Sequence, residues 1–237
     1  MSWNQSSLTG PQAAVSLRDE RVAAFLSRVY AWMFLGLVIT ASVAYAVATS
    51  EVLANMILGN RLLLWVVILA QLGVVFFLSA RVNQLSHFAA ASLYMLYSGL
   101  VGVTSSIVFL AFTGASIAST FIITAGMFGA TALIGTVTKR SLAGLGQFMF
   151  MGLFGLIIAM VVGLFWQNDL LQFVISVIGV LVFTGLTAWD AQRMKQMAVA
   201  MPDGREGTYA VVGALALYLD FVNLFFFLFR FTGGRRN

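Results

Sequence analysis

The chain has 237 residues, of which 61% are hydrophobic and 9% charged, with a net charge of +5, no cysteine and one histidine. A soluble domain has about 45–50% apolar and 25% charged residues, so this composition indicates a membrane protein without a soluble catalytic domain. It also excludes disulfides and argues against a zinc site built from cysteine and histidine ligands.

The first 28 residues are polar and show no cleavable signal peptide. Seven apolar stretches follow, and each has about the 20 residues that span a hydrocarbon core of roughly 30 Å; they are 29–48, 62–80, 88–112, 115–137, 145–166, 170–189 and 209–229. The sequence therefore predicts an all-α, polytopic membrane protein with three parts: a polar tail at 1–28, one seven-helix transmembrane domain at 29–231 and a basic tail at 232–237.

The basic residues indicate which ends of the spans face the cytoplasm. With the N-terminus inside, the outer loops contain only Arg61, and the inner segments contain nine basic residues: Arg18, Arg21, Arg28, Arg81, Lys139, Arg140, Arg193, Lys195 and Arg205. Because cytoplasmic loops carry an excess of Lys and Arg, this bias predicts a cytoplasmic N-terminus and does not indicate a nucleic-acid partner. For the last stretch we favour a full span, which puts Arg230 outside, over a re-entrant hairpin, which keeps it inside.

Small and weakly polar residues mark one face of the third stretch. Helices in lipid pack through such residues, so close packing is one interpretation. The alternative is that Ser98, Thr104 and Ser105 line a polar route.

Two acidic residues lie in the apolar stretches. Asp190 closes the sixth stretch, and Asp220 lies within the seventh, between Leu219 and Phe221. An Asp at the centre of an inserted helix costs roughly 2.5–3.5 kcal/mol. Such residues usually face the bundle interior and mark an ion path, a proton relay or a binding site.

The segment between the two acids predicts that they meet. Residues 202–204, Pro-Asp-Gly, favour a turn. If the sixth helix runs to about Val199 and the seventh begins near Thr208, both acids lie roughly 14–18 Å from that turn on antiparallel neighbours. Consecutive helices with a short connection usually pack together, so we expect the two carboxyl groups to face each other.

Two carboxylates close together in a dry interior cannot both ionise, so the pair shares one proton. The Asp190–Asp220 pair is therefore a candidate pH sensor, or a site for a cation such as Ca²⁺ once both protons leave. Two carboxylates fall short of the six to eight oxygens that Ca²⁺ takes, and Asn223 could add an amide oxygen. Arg81, at the inner end of the second stretch, is the expected counter-charge. A static hydrogen bond between the helices is the alternative.

Several segments resemble the Bax inhibitor-1 family, the transmembrane Bax-inhibitor-motif proteins, in its bacterial branch. The likeness covers about nine-tenths of the chain and is most specific in GLTAWDAQ from Gly185 and ALYLDFVNLF from Ala216. It also includes VYAWMFLGLVITA from Val29, GVTSSIVFLAFTGASI from Gly102, TKRSL from Thr138 and MGLFGLIIA from Met151. The sequence departs from the family pattern at Ala191, where Thr is commoner, at Trp189, where Tyr is, and at Ser105, where Leu is.

The resemblance implies six helices around a central C-terminal helix, with Asp190 and Asp220 as the family's paired aspartates and Arg81 as a latch on one of them. It also implies a bacterial inner-membrane protein without a required cofactor. Family members are described as pH-sensitive Ca²⁺ leak channels, as suppressors of cell death and, in bacteria, as modulators of a membrane-bound protease.

The sequence leaves three functions open. The first is a pH-gated cation leak, most plausibly for Ca²⁺, and the second is a non-transporting regulator that binds a membrane-bound protease or another membrane partner through the polar N-terminal tail. The third is an intramembrane aspartyl protease. Leu217, Tyr218 and Leu219 precede Asp220 and leave a closed, bulky helix, whereas catalysis needs room for substrate and water beside both acids. We therefore expect a protein that is not an enzyme.

Overall fold

The computed structural model describes residues 11–166 and 168–234, and within them the chain forms eight α-helices. They are α1 (Pro11–Thr49), α2 (Glu51–Leu58), α3 (Arg61–Ala80), α4 (His87–Ala111), α5 (Gly114–Val137), α6 (Ala143–Phe165), α7 (Asp169–Ala200) and α8 (Glu206–Thr232). Seven of them, all but the short α2, are long and apolar enough to cross a membrane. The prediction of an all-α polytopic membrane protein is confirmed.

Two helices differ from the sequence prediction. The first helix begins at Pro11 and not at 29, so most of the predicted polar tail continues α1, while residues 1–10 and 235–237 lie outside the described part of the chain. The short α2 was not predicted, because eight residues are too few to span a bilayer. Its start has a local cause, since the Ser50 side chain caps it by accepting a hydrogen bond from the Leu53 amide.

Helix α8 is the central helix of the bundle. In its most apolar 18-residue window 56% of the residues are buried, against 6% in α3 and 11% in α6. It packs against α1, α4, α5 and α7, whereas α3 packs chiefly on α4 and α6 chiefly on α7. The central position of the C-terminal helix is confirmed, with four helices directly around it and α3 and α6 outside them.

A tight turn joins α7 to α8, where the sequence predicted it. Gly204 has a positive φ of 77°, which favours glycine because that backbone conformation is costly for residues with a Cβ. The turn is anchored to the extended start of α1, because Arg21 lies 2.7 Å from Asp203 and 3.7 Å from Glu206. Helix α7 ends at Ala200 and α8 begins at Glu206, so the two helices run antiparallel from this turn.

Candidate functional site

The structure brings the two predicted acids together. Asp190 on α7 and Asp220 on α8 lie about 15 Å and 21 Å along their helices from the ends that flank the turn. Their side chains are within hydrogen-bonding reach of each other, and the residues are only 8% and 4% exposed. The carboxyl groups therefore form one unit in the interior of the bundle.

One oxygen of each carboxyl group has no hydrogen-bond partner among the described residues, namely Oδ1 of Asp190 and Oδ2 of Asp220. Two carboxyl groups can hydrogen-bond each other only if at least one carries a proton. Most buried polar atoms in native structures have a hydrogen-bond partner, so an oxygen without one in the protein is usually explained by a bound water, an ion or a functional role. Each carboxyl group therefore keeps one oxygen that makes no hydrogen bond to the described residues.

The cation beside the pair is Arg193, one turn further along α7. Its Nη1 lies 3.9 Å from Oδ1 of Asp190, and its guanidinium lies over the Trp189 ring at 5.5 Å. Because the Arg193 side chain is 54% exposed, it contacts the buried acid and solvent at once. The sequence contained this signal in the spacing of three residues between Asp190 and Arg193.

Arg81, the predicted latch, is placed elsewhere in this structure. Its Nη1 donates a 2.8 Å hydrogen bond to Oε1 of Gln84, and its guanidinium lies over the Phe77 ring at 5.9 Å. The amide of Asn223 donates to the Leu219 carbonyl at 2.8 Å, within its own helix. Among the described residues neither side chain makes a hydrogen bond or ion pair with the acids, so their predicted roles there stay predictions.

Tightly packed side chains close the seam between α7 and α8 on both sides of the pair. Towards the turn, Met194 lies against Gly213, where an added Cβ would come within 2.5 Å of its sulfur. In the other direction, the rings of Phe183 and Phe227 stack with centroids 5.8 Å apart, and Phe227 also fills the space beside Gly179. The site is therefore occluded in both directions along the seam.

A cluster of buried hydroxyl groups was not predicted from the sequence. The hydroxyl groups of Tyr218 on α8 and Thr40 on α1 lie 2.5 Å apart, and Thr40 also donates to the Ser98 carbonyl at 2.9 Å. Tyr94 and Tyr97 of α4 contact the Tyr218 ring edge-on, with centroids 5.9 and 5.8 Å away. Tyr94 and Ser98 are four residues apart and share a helix face, which was the available signal.

The three residues of the predicted polar route face different neighbours. The Ser98 hydroxyl donates to the Tyr94 carbonyl, and Thr104 accepts a hydrogen bond from Gln71. The Ser105 hydroxyl is buried without a partner among the described residues and borders an apolar cavity of about 430 Å³ between α1, α4, α5 and α8. These contacts favour the packing interpretation for Ser98 and Thr104 over a shared route.

Metal ligands at the pair are few. Among the described residues no group of three His, Cys, Asp or Glu side chains could hold a metal ion. The acidic ligands that this site offers to a cation are therefore the carboxyl groups of Asp190 and Asp220. A Ca²⁺ ion takes six to eight oxygens, so one at this pair would keep water or backbone carbonyl ligands.

Comparisons with known proteins give one family and several bacterial relatives. Residues 22–237 match the family model described as inhibitor of apoptosis-promoting Bax1. The chain is 45% identical over 216 residues to the inner membrane protein YbhL of Escherichia coli K12, covering 90% of this chain and 92% of that one. It is also 42% identical to an uncharacterized protein of Borreliella burgdorferi and 34% identical to an uncharacterized membrane protein of Streptococcus pyogenes serotype M1. These two alignments cover 90% and 88% of this chain and 93% and 92% of the relatives.

Proposed function

The chain belongs to the Bax inhibitor-1 family of integral membrane proteins, and we propose that it is a pH-sensitive cation leak channel gated by the Asp190–Asp220 pair. The transported ion is Ca²⁺, no cofactor is required, and the protein is not an enzyme. It spans a bacterial inner membrane several times with its N-terminus in the cytoplasm. Support for this location comes from the similarity to YbhL and from the bias in basic residues.

The meeting of two buried carboxyl groups in the centre of the bundle carries the proposal. An intramembrane acid is costly, and here two of them share one site on adjacent helices. A change in protonation alters the charge of the pair and the polar contact between α7 and α8 at the same moment. The pair therefore couples pH to the contact that the central helix makes with its nearest neighbour.

The packing of the seam supports a closed state of the proposed channel. Met194 against Gly213 and Phe183 against Phe227 occupy the space along α7 and α8 on either side of the acids. A hydrated cation passes only if these contacts separate. We infer that a protonation change loosens the seam, and that the free carboxyl oxygens then act as transient ligands for the passing cation.

The alternative is a regulator without transport activity that binds a membrane-bound protease. Its predicted contact, the polar tail, is helical from Pro11 onward, and residues 1–10 lie outside the described part of the chain. No contact among the described residues favours a protease as partner, so this alternative stays a prediction. The experiment below separates the two functions.

The test uses the purified protein in liposomes that contain a Ca²⁺-sensitive dye, with the initial flux measured across a pH series. Four proteins are compared with the parent: Asp190→Asn, Asp220→Asn, the double variant and Asp169→Asn. The last is the matched control, because it makes the same chemical change on α7 at an exposed residue. We expect a pH midpoint in the parent and in the control, and its loss in both single variants.

The double variant should behave like either single one, because both substitutions disable the same unit. A double variant whose change in pH midpoint equals the sum of the two single changes would contradict a shared site. Unshifted midpoints in both would show that the pair is only a structural bridge. If the parent itself gives no flux above that of empty liposomes, the channel proposal is wrong and the regulator is favoured.

A further inference from the structure

A polar cavity lies at the end of the bundle that carries the α5–α6 loop. It has a volume of about 530 Å³ and is bordered by the start of α1, by the loop at 138–141 and by the last turns of α7. Gln192 of α7 fixes the loop, because its side chain accepts from the Leu142 amide at 2.8 Å and donates to the Arg140 carbonyl at 2.9 Å. The cavity is therefore built between three elements that are held in register.

Four cations surround this cavity, and they are Arg18, Lys139, Arg140 and Lys195. One carboxylate, Asp19, is also present, so four positive charges and one negative charge leave the lining at +3. None of the four cations lies within 4.0 Å of an acidic side chain among the described residues. The cavity thus has an uncompensated positive charge.

The loop adds to this positive field. Helix α6 begins at Ala143 directly after the loop, and its cap residue Leu142 makes no side-chain hydrogen bond. The N-terminal end of a helix carries a partial positive charge, although here the Leu142 amide already donates to Gln192 and the Ala143 amide to Ser141. The start of α6 therefore adds only its partial charge to that of the neighbouring Lys139 and Arg140.

We propose that this cavity binds the headgroup phosphate of an anionic phospholipid. The cavity lies where membrane-spanning helices end, which is the depth of lipid phosphates. Next to the cations, on the side that leads into the membrane, α5 exposes Ile134 and Val137, at 63% and 67%. The acyl chains of a lipid bound here by its phosphate can run along this apolar surface. A soluble phosphate has no apolar part that would contact it.

The site is connected to the acidic pair without sharing a residue with it. Gln192, which forms the floor of the cavity, is two residues beyond Asp190 on α7, and both are buried. A bound lipid holds the α5–α6 loop, the start of α1 and α7 together through one headgroup. Lipid binding does not depend on whether the pair gates an ion, so this inference stands or falls independently of the proposed function.

The test measures lipid binding to the full-length protein in a mild detergent by native mass spectrometry. Phosphatidylglycerol and phosphatidylcholine are titrated separately, and we expect the anionic lipid to bind more tightly. In the variant Lys139→Gln/Arg140→Gln, phosphatidylglycerol should bind about 30-fold more weakly, since each cation near a membrane surface contributes about 1 kcal/mol. The control Arg28→Gln/Arg81→Gln removes two exposed cations that do not line the cavity, and its affinity should change less than about threefold.

The exchanged pair Lys139→Arg/Arg140→Lys keeps the charge and should bind nearly as the parent does, which separates lost charge from a damaged loop. Equal affinity for the two lipids would overturn the proposal, as would an equal loss in both glutamine variants. Excess glycerol 3-phosphate should leave the bound lipid in place. Displacement of the lipid by glycerol 3-phosphate would show that the cavity recognises a free phosphate, and the assignment to lipid would then be wrong.

Discussion

Replacing Gly135 with alanine should force α5 away from α7 close to the acidic pair. Gly135 is buried, and a Cβ there would lie 2.1 Å from the backbone carbonyl oxygen of Ala188. Ordinary van der Waals contact begins at 3.4 Å, so the helices must separate by about 1.3 Å at this point. The obstacle is backbone and cannot rotate away. Ala188 is two residues before Asp190, so the displacement reaches the pair.

The matched control is Gly126→Ala on the same helix, where an added Cβ meets nothing within 4 Å. Both substitutions gain the same helix propensity of about 1 kcal/mol, which cancels in the comparison. What remains is the cost of overpacking, about 1–3 kcal/mol. For a chain of this size, 1 kcal/mol shifts the melting temperature by about 2–4 °C, so Gly135→Ala should melt roughly 2–12 °C below the control.

Thermal unfolding of the two purified variants in one detergent measures this difference, and the liposome assay shows whether the pH midpoint moves as well. We expect the midpoint to move in Gly135→Ala and to stay in place in Gly126→Ala. Equal melting temperatures would refute the argument, because they would mean that α5 and α7 do not approach as closely in solution. A lower melting temperature with an unchanged midpoint would separate the stability of this contact from the behaviour of the pair.

Three further predictions concern residues of α7. Gln192→Leu removes two hydrogen bonds to loop backbone and should lower the free energy of unfolding by about 2–4 kcal/mol, whereas Gln196→Leu, at an exposed position nearby, should change it by less than about 0.5 kcal/mol in the same denaturation experiment. Because Arg193 is the cation beside the pair, Arg193→Gln should shift the pH midpoint of Ca²⁺ flux; if Arg81→Gln shifts it more, the latch forms in another conformation. The variant Asp169→Cys places a single cysteine in a chain that has none of its own, and this cysteine should react with an impermeant maleimide only from the periplasmic side. Reaction only from the cytoplasmic side would mean that the predicted topology is inverted.

The spans and the meeting of the two acids could be predicted from the sequence because both depend on local patterns. Apolar length determines how many helices can cross a bilayer, and a Pro-Asp-Gly turn between two long helices makes them antiparallel neighbours. The predicted helix ends near Val199 and Thr208 lie close to the observed ends at Ala200 and Glu206. From these ends, the rise per residue places Asp190 and Asp220 at similar depths.

The remaining features depend on which helix faces pack together, and hydropathy does not specify this. Tyr94, Tyr97 and Tyr218 look like ordinary members of apolar stretches until α4 and α8 are placed side by side. The sequence places Arg81 at the inner end of the second stretch, and the resemblance makes it a latch, yet in the structure its hydrogen-bond partner is the neighbouring Gln84. Arg193 was counted among the cytoplasmic cations, although its position one turn from Asp190 makes it the nearer counter-charge.

Among the eight described helices, the central helix α8 is synthesised after the other seven. At 5–20 residues per second, the residues of α8 take roughly 1–5 s to synthesise. During that interval Thr40 and Asp190 lack their partners on α8. The helix of this set that is added last is therefore a central helix and not a peripheral one. A chain terminated before Glu206 lacks the helix against which α1, α4, α5 and α7 pack, so we expect truncation there to be as damaging as truncation within the first helices.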